Sequence, residues 1–437
     1  MKRIFLIILT LVMIISLVSC SSSNIKQPSA DSENGVDTQE QESPPNEFEG
    51  VTVRISDPRG VGGTPHLVGP DYPNNGYAAM FDYGELAKKA NINLEITGLT
   101  NEERTLKILA EDSDIDIYIF HQADIKFIKD KGIFEPIDSE IIDSFISKTF
   151  SDLQANAIDK NGNTVMMPVE YAIQALFIPK QAVEEIGVKP EDIEYLDDFL
   201  AYLENYKGER ETYGINDSFF FQLEQQYSYY HCDFDNGQFD YDNEFFRSIY
   251  ERLLGNYTAY DGIMTSKYSL PIKFDTNSVE KNLFRMTAIG NYTTYTKPEE
   301  AKHFFDNFVS FPLPKISDKV EKNMVSVASF AYINPYSKNK EAALKVLEAI
   351  AENYFDITGP GGGANLMFKD TDIYPDHIDT DSQVFKEFLE MADNSVILFY
   401  NTNKETSLID FEYLYGEKTL DEAITERSRV VNIMLNE

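Results

Sequence analysis

Between Val51 and Phe120 the spacing of apolar residues alternates between two periods, and this constrains the fold more than any other feature of the chain. Val51, Val53 and Ile55 recur at every second position, as in a strand with one buried face. From about Tyr77 to Ala90 the spacing turns helical, with Met80, Tyr83, Leu86, Ala87 and Ala90 on one side, and Asn91 ends it. Ile92, Leu94 and Ile96 form a second strand, Glu102 to Ala110 a second amphipathic helix, and Ile115 to Phe120 a short buried strand. Strand, helix, strand, helix, strand predicts a parallel sheet covered by helices, an α/β fold.

Further along, Val165 to Pro168 and Ala172 to Ile178 are apolar stretches separated by Glu170 and Tyr171. Helices are expected over Lys180 to Ile186 and Leu196 to Tyr206, the second opening with Asp197 and Asp198, which suit the positive end of a helix. His231 to Tyr241 predicts a hairpin turned by Asn236-Gly237, after which Asp242 caps a helix running to Leu254. Phe284 to Ile289, Phe308 to Phe311 and Val325 to Ile333 are the next strands, and Glu341 to Ala351 is an amphipathic helix. Thr419 with Glu422 three residues later is a capping box for a last helix to Leu435.

The chain begins with Lys2 and Arg3, followed by an apolar run from Ile4 to Val18 interrupted only by Thr10 and Ser16. This is the pattern of an export signal, residues 1–19, and Leu17-Val18-Ser19-Cys20 resembles the bacterial lipobox, which implies cleavage before Cys20 and a lipid on its thiol. The run is short for a membrane span, which needs roughly 20 apolar residues. Residues 20–48 are mostly polar and predict a flexible tether. The remaining chain, roughly 390 residues, exceeds one ordinary core and predicts two lobes. With Cys20 lipidated, Cys232 has no disulfide partner and suits a small buried apolar role. A net charge of -35 excludes nucleic acid as a partner and disfavours an electrostatic hold on anionic lipid.

Three stretches together resemble the extracellular solute-binding proteins of ABC importers, in their carbohydrate branch. They are Leu86 to Phe120, "LAKKANINLEITGLTNEERTLKILAEDSDIDIYIF"; Gly162 to Lys180, "GNTVMMPVEYAIQALFIPK"; and Arg285 to Glu352, with "MTAIGNYTTY", "VSFPLPK" and "VASFAYINPYSKNKEAALKVLEAIAE" in family order. The ending "GEKTLDEAITE" also fits. The resemblance implies a two-lobed periplasmic-binding-protein-like fold with a ligand cleft between the lobes. It places lobe 1 at 49–167 and 291–326, and lobe 2 at 168–290 and 327–437. It also implies a small solute, a sugar or oligosaccharide, delivered to the transmembrane subunits of an ABC permease by a protein anchored on the outer face of the cell membrane.

In open parallel sheets ligands sit beyond the carboxyl ends of strands, so the loops starting at Asp57, His121, Pro168 and Gly290 are the candidates. Arg59 could fork onto a hydroxyl pair or a carboxylate, against the simpler reading of a solvated loop arginine. His121 and Gln122 follow the third strand, where the family often places a polar contact. Glu170 and Tyr171 lie at the first crossing, although a gapless alignment puts the family's ligand-contacting acid at Ala172. Tyr292, with Asn291 beside it, falls where a sugar-binding member stacks a tryptophan on the pyranose. This chain has no Trp at all, a departure from most sugar binders.

No cofactor or metal is expected. The five histidines are scattered, and Asp112-Asp114-Asp116 starts like a calcium loop but continues with Ile117 and Ala123 at the positions that need Gly and Glu. Gly359 to Gly363 lacks the Lys-Ser/Thr of a phosphate loop. A non-catalytic receptor is therefore the expected function. The alternatives are a cell-surface hydrolase acting on glycans through paired carboxylates and a sensor lipoprotein that does not transport.

Overall fold

The computed structural model describes residues 47–58, 66–68, 80–187, 189, 192–205, 217–256, 285–288, 306–358, 366–376, 378–398 and 404–436. All of them belong to one unit, 46–437. The strands are Thr52–Ser56 (β1), His66–Val68 (β2), Asn93–Thr97 (β3), Ile117–His121 (β4), Met167–Pro179 (β5), Arg285–Ala288 (β6), Phe308–Phe311 (β7), Asn323–Ile333 (β8) and Ser395–Val396 (β9). They run in the order β2-β3-β1-β4-β8-β5-β6, with β7 also on β5 and β9 on β8.

The expected parallel sheet is present as β3-β1-β4. It continues through two antiparallel neighbours, β2 on β3 and β8 on β4, so the whole sheet is mixed. Asp116 locks this region: its carboxylate accepts from Arg54 N at 2.8 Å and from Ser337 Oγ at 2.5 Å, tying β1 to the turn after β8. The third acid of the calcium-like run is thus a buried brace, and the first, Asp112, accepts from Lys107 Nζ at 2.6 Å and Asp114 N at 2.7 Å.

β5 organises the rest. Residues 167–173 pair with β8, while 174–179 pair with β6 and β7, and the register slips between Ala172 and Ile173 where the strand changes partners. Two hydrophobic cores lie along it. The first gathers the sheet from Val53 to Ala175, the Lys340–Glu352 helix against Tyr83–Ala90 and Glu140–Ser147, and Phe385 and Phe388. The second gathers Leu176 and Ile178 with the helices Leu196–Asn205, Asp217–His231, Glu244–Asn256, Lys404–Leu414 and Leu420–Asn436. In β5, Ala175 and Phe177 belong to the first core and Leu176 and Ile178 to the second, so alternation sends successive side chains to different cores.

Each core draws on several separate stretches of the chain. Phe330 to Ile350 and Leu366 to Phe388 join the first core, whereas Phe311, Leu313, Ile316 and Val320 join the second. The reason is β8: wedged antiparallel between β4 and β5, it carries the chain back into the first sheet before the Lys340–Glu352 helix begins.

The expected capping box is present, with Glu422 N donating to Thr419 Oγ1 at 3.3 Å and Thr419 N to Glu422 Oε2 at 2.8 Å. A second one, Thr100 with Glu103, starts the Asn101–Leu109 helix. Asp242 is not the cap of the Glu244–Asn256 helix. Asn243 Oδ1 accepts from Phe246 N at 2.9 Å, and Asp242 instead holds Arg247. The hairpin at Asn236-Gly237 shrinks to one bridge between Asp233 and Gln238, because the Asp217–His231 helix runs up to its first arm. Among the described residues no helix is long and apolar enough to cross a membrane.

Candidate functional site

At the carboxyl end of β4 the sheet brings three polar side chains into line. His121 is opposite Ser329 in β8, and Ser329 is opposite Glu170 in β5, so all three share one face. Ser329 Oγ donates to Glu170 Oε2 at 2.7 Å. His121 Nδ1 lies 2.8 Å from the same Oγ. A serine hydroxyl has a single proton, and here it goes to Glu170, so His121 must present Nδ1–H to Ser329. Ser329 and Glu170 are buried and His121 is half-buried, which places the imidazole at the mouth of the row.

The other expected contacts divide. Gln122 is buried, and its amide acts as one more residue of strand: Oε1 accepts from Ala328 N at 2.5 Å and Nε2 donates to Val325 O at 3.3 Å. It satisfies the stretch of β8 that β4 is too short to reach. Tyr171 is 2% exposed, its hydroxyl 2.8 Å from Ser395 Oγ, and burial pushes its phenol well above the usual range. It fastens β5 to the segment carrying β9. Arg59, Asn291, Tyr292 and Cys20 lie outside the described residues. Asp57, which opens the first candidate loop, is fully buried and accepts from Met80 N at 3.1 Å and Tyr83 hydroxyl at 2.8 Å.

A cavity of about 310 Å³ opens where β5 leaves β8, lined by Gln174, Gln226, Asn323 and Asn394 with Leu313 and Met324. Its volume is at the lower end for small-molecule pockets. Three of the four amides are committed to backbone. Gln226 bridges Pro314 O and Ile316 N, Asn323 donates to Met391 O, and Asn394 donates to Glu321 O. Gln174 Oε1 is a buried acceptor with no partner among the described residues. The sequence did carry a trace of this position, a single glutamine inside the run Ala172 to Ile178. Ser329 left none, because a serine in an apolar strand gains meaning only from its register.

Elsewhere the titrating groups are structural. Burial pushes Asp152 upward and Lys129 downward, and the Asp152 carboxylate accepts from Ile397 N at 2.6 Å. Burial pushes the half-buried Cys232 thiol up to about 12, so it stays protonated at neutral pH and is a poor nucleophile. Among the described residues no cluster of His, Cys, Asp and Glu could hold a metal ion.

The family model for bacterial extracellular solute-binding proteins matches residues 74–353, more than half of the chain. The chain belongs to that family. Family and structural neighbours alike are binding proteins rather than enzymes, and the family is extracellular. The fold of this solute-binding protein is similar to that of the sugar-binding protein MalE from Xanthomonas citri, with a TM-score of 0.58 at 15% identity over 88% of this chain and 98% of that one. It is also similar to maltose-bound MalE3 of T. maritima (TM-score 0.55, 15% identity, 88% and 99% covered). A solute-binding protein from Agrobacterium vitis with bound D-mannitol matches as well (TM-score 0.56, 14% identity, 88% and 98% covered). These likenesses establish the two-lobed α/β fold of periplasmic binding proteins. Comparison with curated proteins finds no match.

Proposed function

We propose that this solute-binding protein captures a carbohydrate outside the cell, in a cleft walled on one side by His121 and Glu170, and passes it unchanged to an ABC permease. The observation that carries the reading is the His121–Ser329–Glu170 row at the carboxyl end of β4, in a fold shared with binders of maltose and mannitol. An imidazole and a carboxylate fixed by a common serine are preorganised to meet hydroxyl groups, with no ordering cost left for binding. Arg59, Asn291 and Tyr292 complete the proposed contacts, Tyr292 supplying the apolar ring face that a pyranose needs. The order of the row supports binding over hydrolysis. In a catalytic triad histidine lies between serine and acid, whereas here serine lies between histidine and acid. The two cores serve as the two lobes, and Cys20 carries the lipid that holds the protein at the membrane.

A thermal-shift screen against mono- and oligosaccharides, with amino acids, peptides and polyamines as controls, tests the reading. Binding to the folded state alone stabilises by about 2.7 kcal/mol at a hundredfold excess over Kd. A shift with a saccharide that is recovered intact supports the proposal. Shifts confined to the controls would sink the carbohydrate assignment, and a shift that decays as product accumulates would sink the non-catalytic one. For the anchor, Cys20→Ser expressed in cells should move the protein from the membrane fraction to the medium; retention at the membrane would rule out the lipid on Cys20.

A further inference from the structure

Deep in the second core a single guanidinium meets two carboxylates. Arg427, on the Leu420–Asn436 helix, is 0% exposed, and Glu224 and Asp410 are each 2% exposed. Arg427 donates to Glu224 Oε1 at 2.6 Å through Nη1, to Asp410 Oδ1 through Nη2, and to the Tyr250 hydroxyl at 3.0 Å through Nε. Tyr250 passes its own proton to Asp410 Oδ1 at 2.5 Å, and Ser228 donates to Glu224 Oε1 at 2.8 Å. The bonds that reach the acids all end on one oxygen of each, Glu224 Oε1 and Asp410 Oδ1. Glu224 Oε2 and Asp410 Oδ2 are buried with no hydrogen-bond partner among the described residues.

Among the described residues, the other groups facing the cluster bring no second positive charge. Tyr241 lies beneath the guanidinium, 5.5 Å from ring centre to carbon, and burial holds its phenol neutral. Tyr250 is neutral for the same reason, as is the Cys232 thiol. With both acids ionised the cluster would carry one uncompensated negative charge away from water, a state that proteins relieve by taking up a proton.

We propose that Glu224 and Asp410 share one proton in the folded protein, making the second core a proton-binding element that mild acid tightens. Burial pushes Glu224 up to about 7 against the pull of Arg427, and pushes Asp410 upward too. The two acids titrate as a pair. The folded value lies above the unfolded one, so this stabilisation is fully present below the ordinary carboxylate range and is lost as pH rises through about 7.

Equilibrium unfolding of the wild-type protein and Glu224→Gln, measured from pH 5 to pH 8.5, tests this. The ratio of their unfolding constants, wild type over variant, should rise by up to about tenfold per pH unit between pH 5 and 7 and then level off, since one proton is bound in excess by the folded wild type. A ratio independent of pH overturns the proposal. If the variant does not fold, infrared difference spectra of the wild type between pH 6 and 8.5 decide instead. A band from a protonated carboxyl that disappears on going to the higher pH, with the protein still folded, supports the shared proton, and its absence at pH 6 overturns it.

Discussion

At the scale of single residues, position at a strand end and role in the site separate cleanly. His121 and Gln122 are neighbours, and the sequence offered both as ligand contacts, yet the chain uses them in opposite ways. The amide of Gln122 is consumed by the backbone of β8 at Ala328 and Val325, while the imidazole of His121 sits at the open end of a polar row. Replacing Ser329 by Ala removes the donor to Glu170 Oε2 and the acceptor for His121, and the expected cost is about 1–3 kcal/mol in chemical denaturation. The same substitution should weaken solute binding, because both proposed contacts lose their orientation. Gln122→Ala should lose a comparable amount of stability and bind solute as well as wild type once folded. Equal losses of affinity in the two variants would instead assign Gln122 to the ligand. What was legible here was the location, since strand ends are readable from periodicity. What was not legible was which polar atoms the neighbouring strands would consume, because that depends on the register of β8, more than 150 residues away in sequence.

At the scale of elements, the predicted segments that matched are those whose pattern had one clear period. The strands of the first sheet, Lys180–Ile186 and Lys340–Glu352 are of this kind. The Asp217–His231 helix was missed for a physical reason. Its sequence, DSFFFQLEQQYSYYH, is aromatic on several sides, and Gln222, Glu224, Gln225, Gln226 and Ser228 are buried along with Phe219, Phe220 and Tyr227, so no single apolar stripe marks it. The Glu140–Ser147 helix shows what such elements lean on. Ser139 accepts from Ile142 N at 3.4 Å as its cap and donates to Glu348 Oε1 at 2.9 Å on the Lys340–Glu352 helix. Ser139→Ala removes both bonds, and a loss of about 1–2 kcal/mol is expected. Ser139→Asp keeps the cap but sets a carboxylate against Glu348, so it should fall below Ala in stability at pH 7 and recover toward it as the acids are protonated. If Asp matches Ala at pH 7, the contact with Glu348 contributes nothing and the cap alone matters.

For the whole molecule, the division into two cores follows from which strands the chain uses to pass between them, and charge decides how firmly the result holds together. The first passage runs along β5, whose sequence "MPVEYAIQALFIP" is a long apolar run with few breaks. The return along β8 is harder to read because its sequence looks like any buried strand, and only pairing with both β4 and β5 shows which core it enters. Charge acts on both cores at once. With 73 acidic and 38 basic residues, acids outnumber cations by 35, and folding concentrates them. The pairs that do form, such as Lys88–Glu85, Lys315–Glu194 and Arg247–Asp421, are largely solvent-exposed and each contributes little. Added salt screens both effects, but long-range repulsion summed over a net charge of -35 outweighs a set of weak contacts. Raising NaCl from about 10 mM to about 150 mM shortens the screening length from about 30 Å to about 8 Å, and over this range the melting temperature should rise. Beyond it the rise should flatten, since neighbouring charges are already screened. A melting temperature that falls over the same range would mean that the surface pairs form a cooperative network stronger than the repulsion, and the acidic surface would then have to be counted as a source of stability.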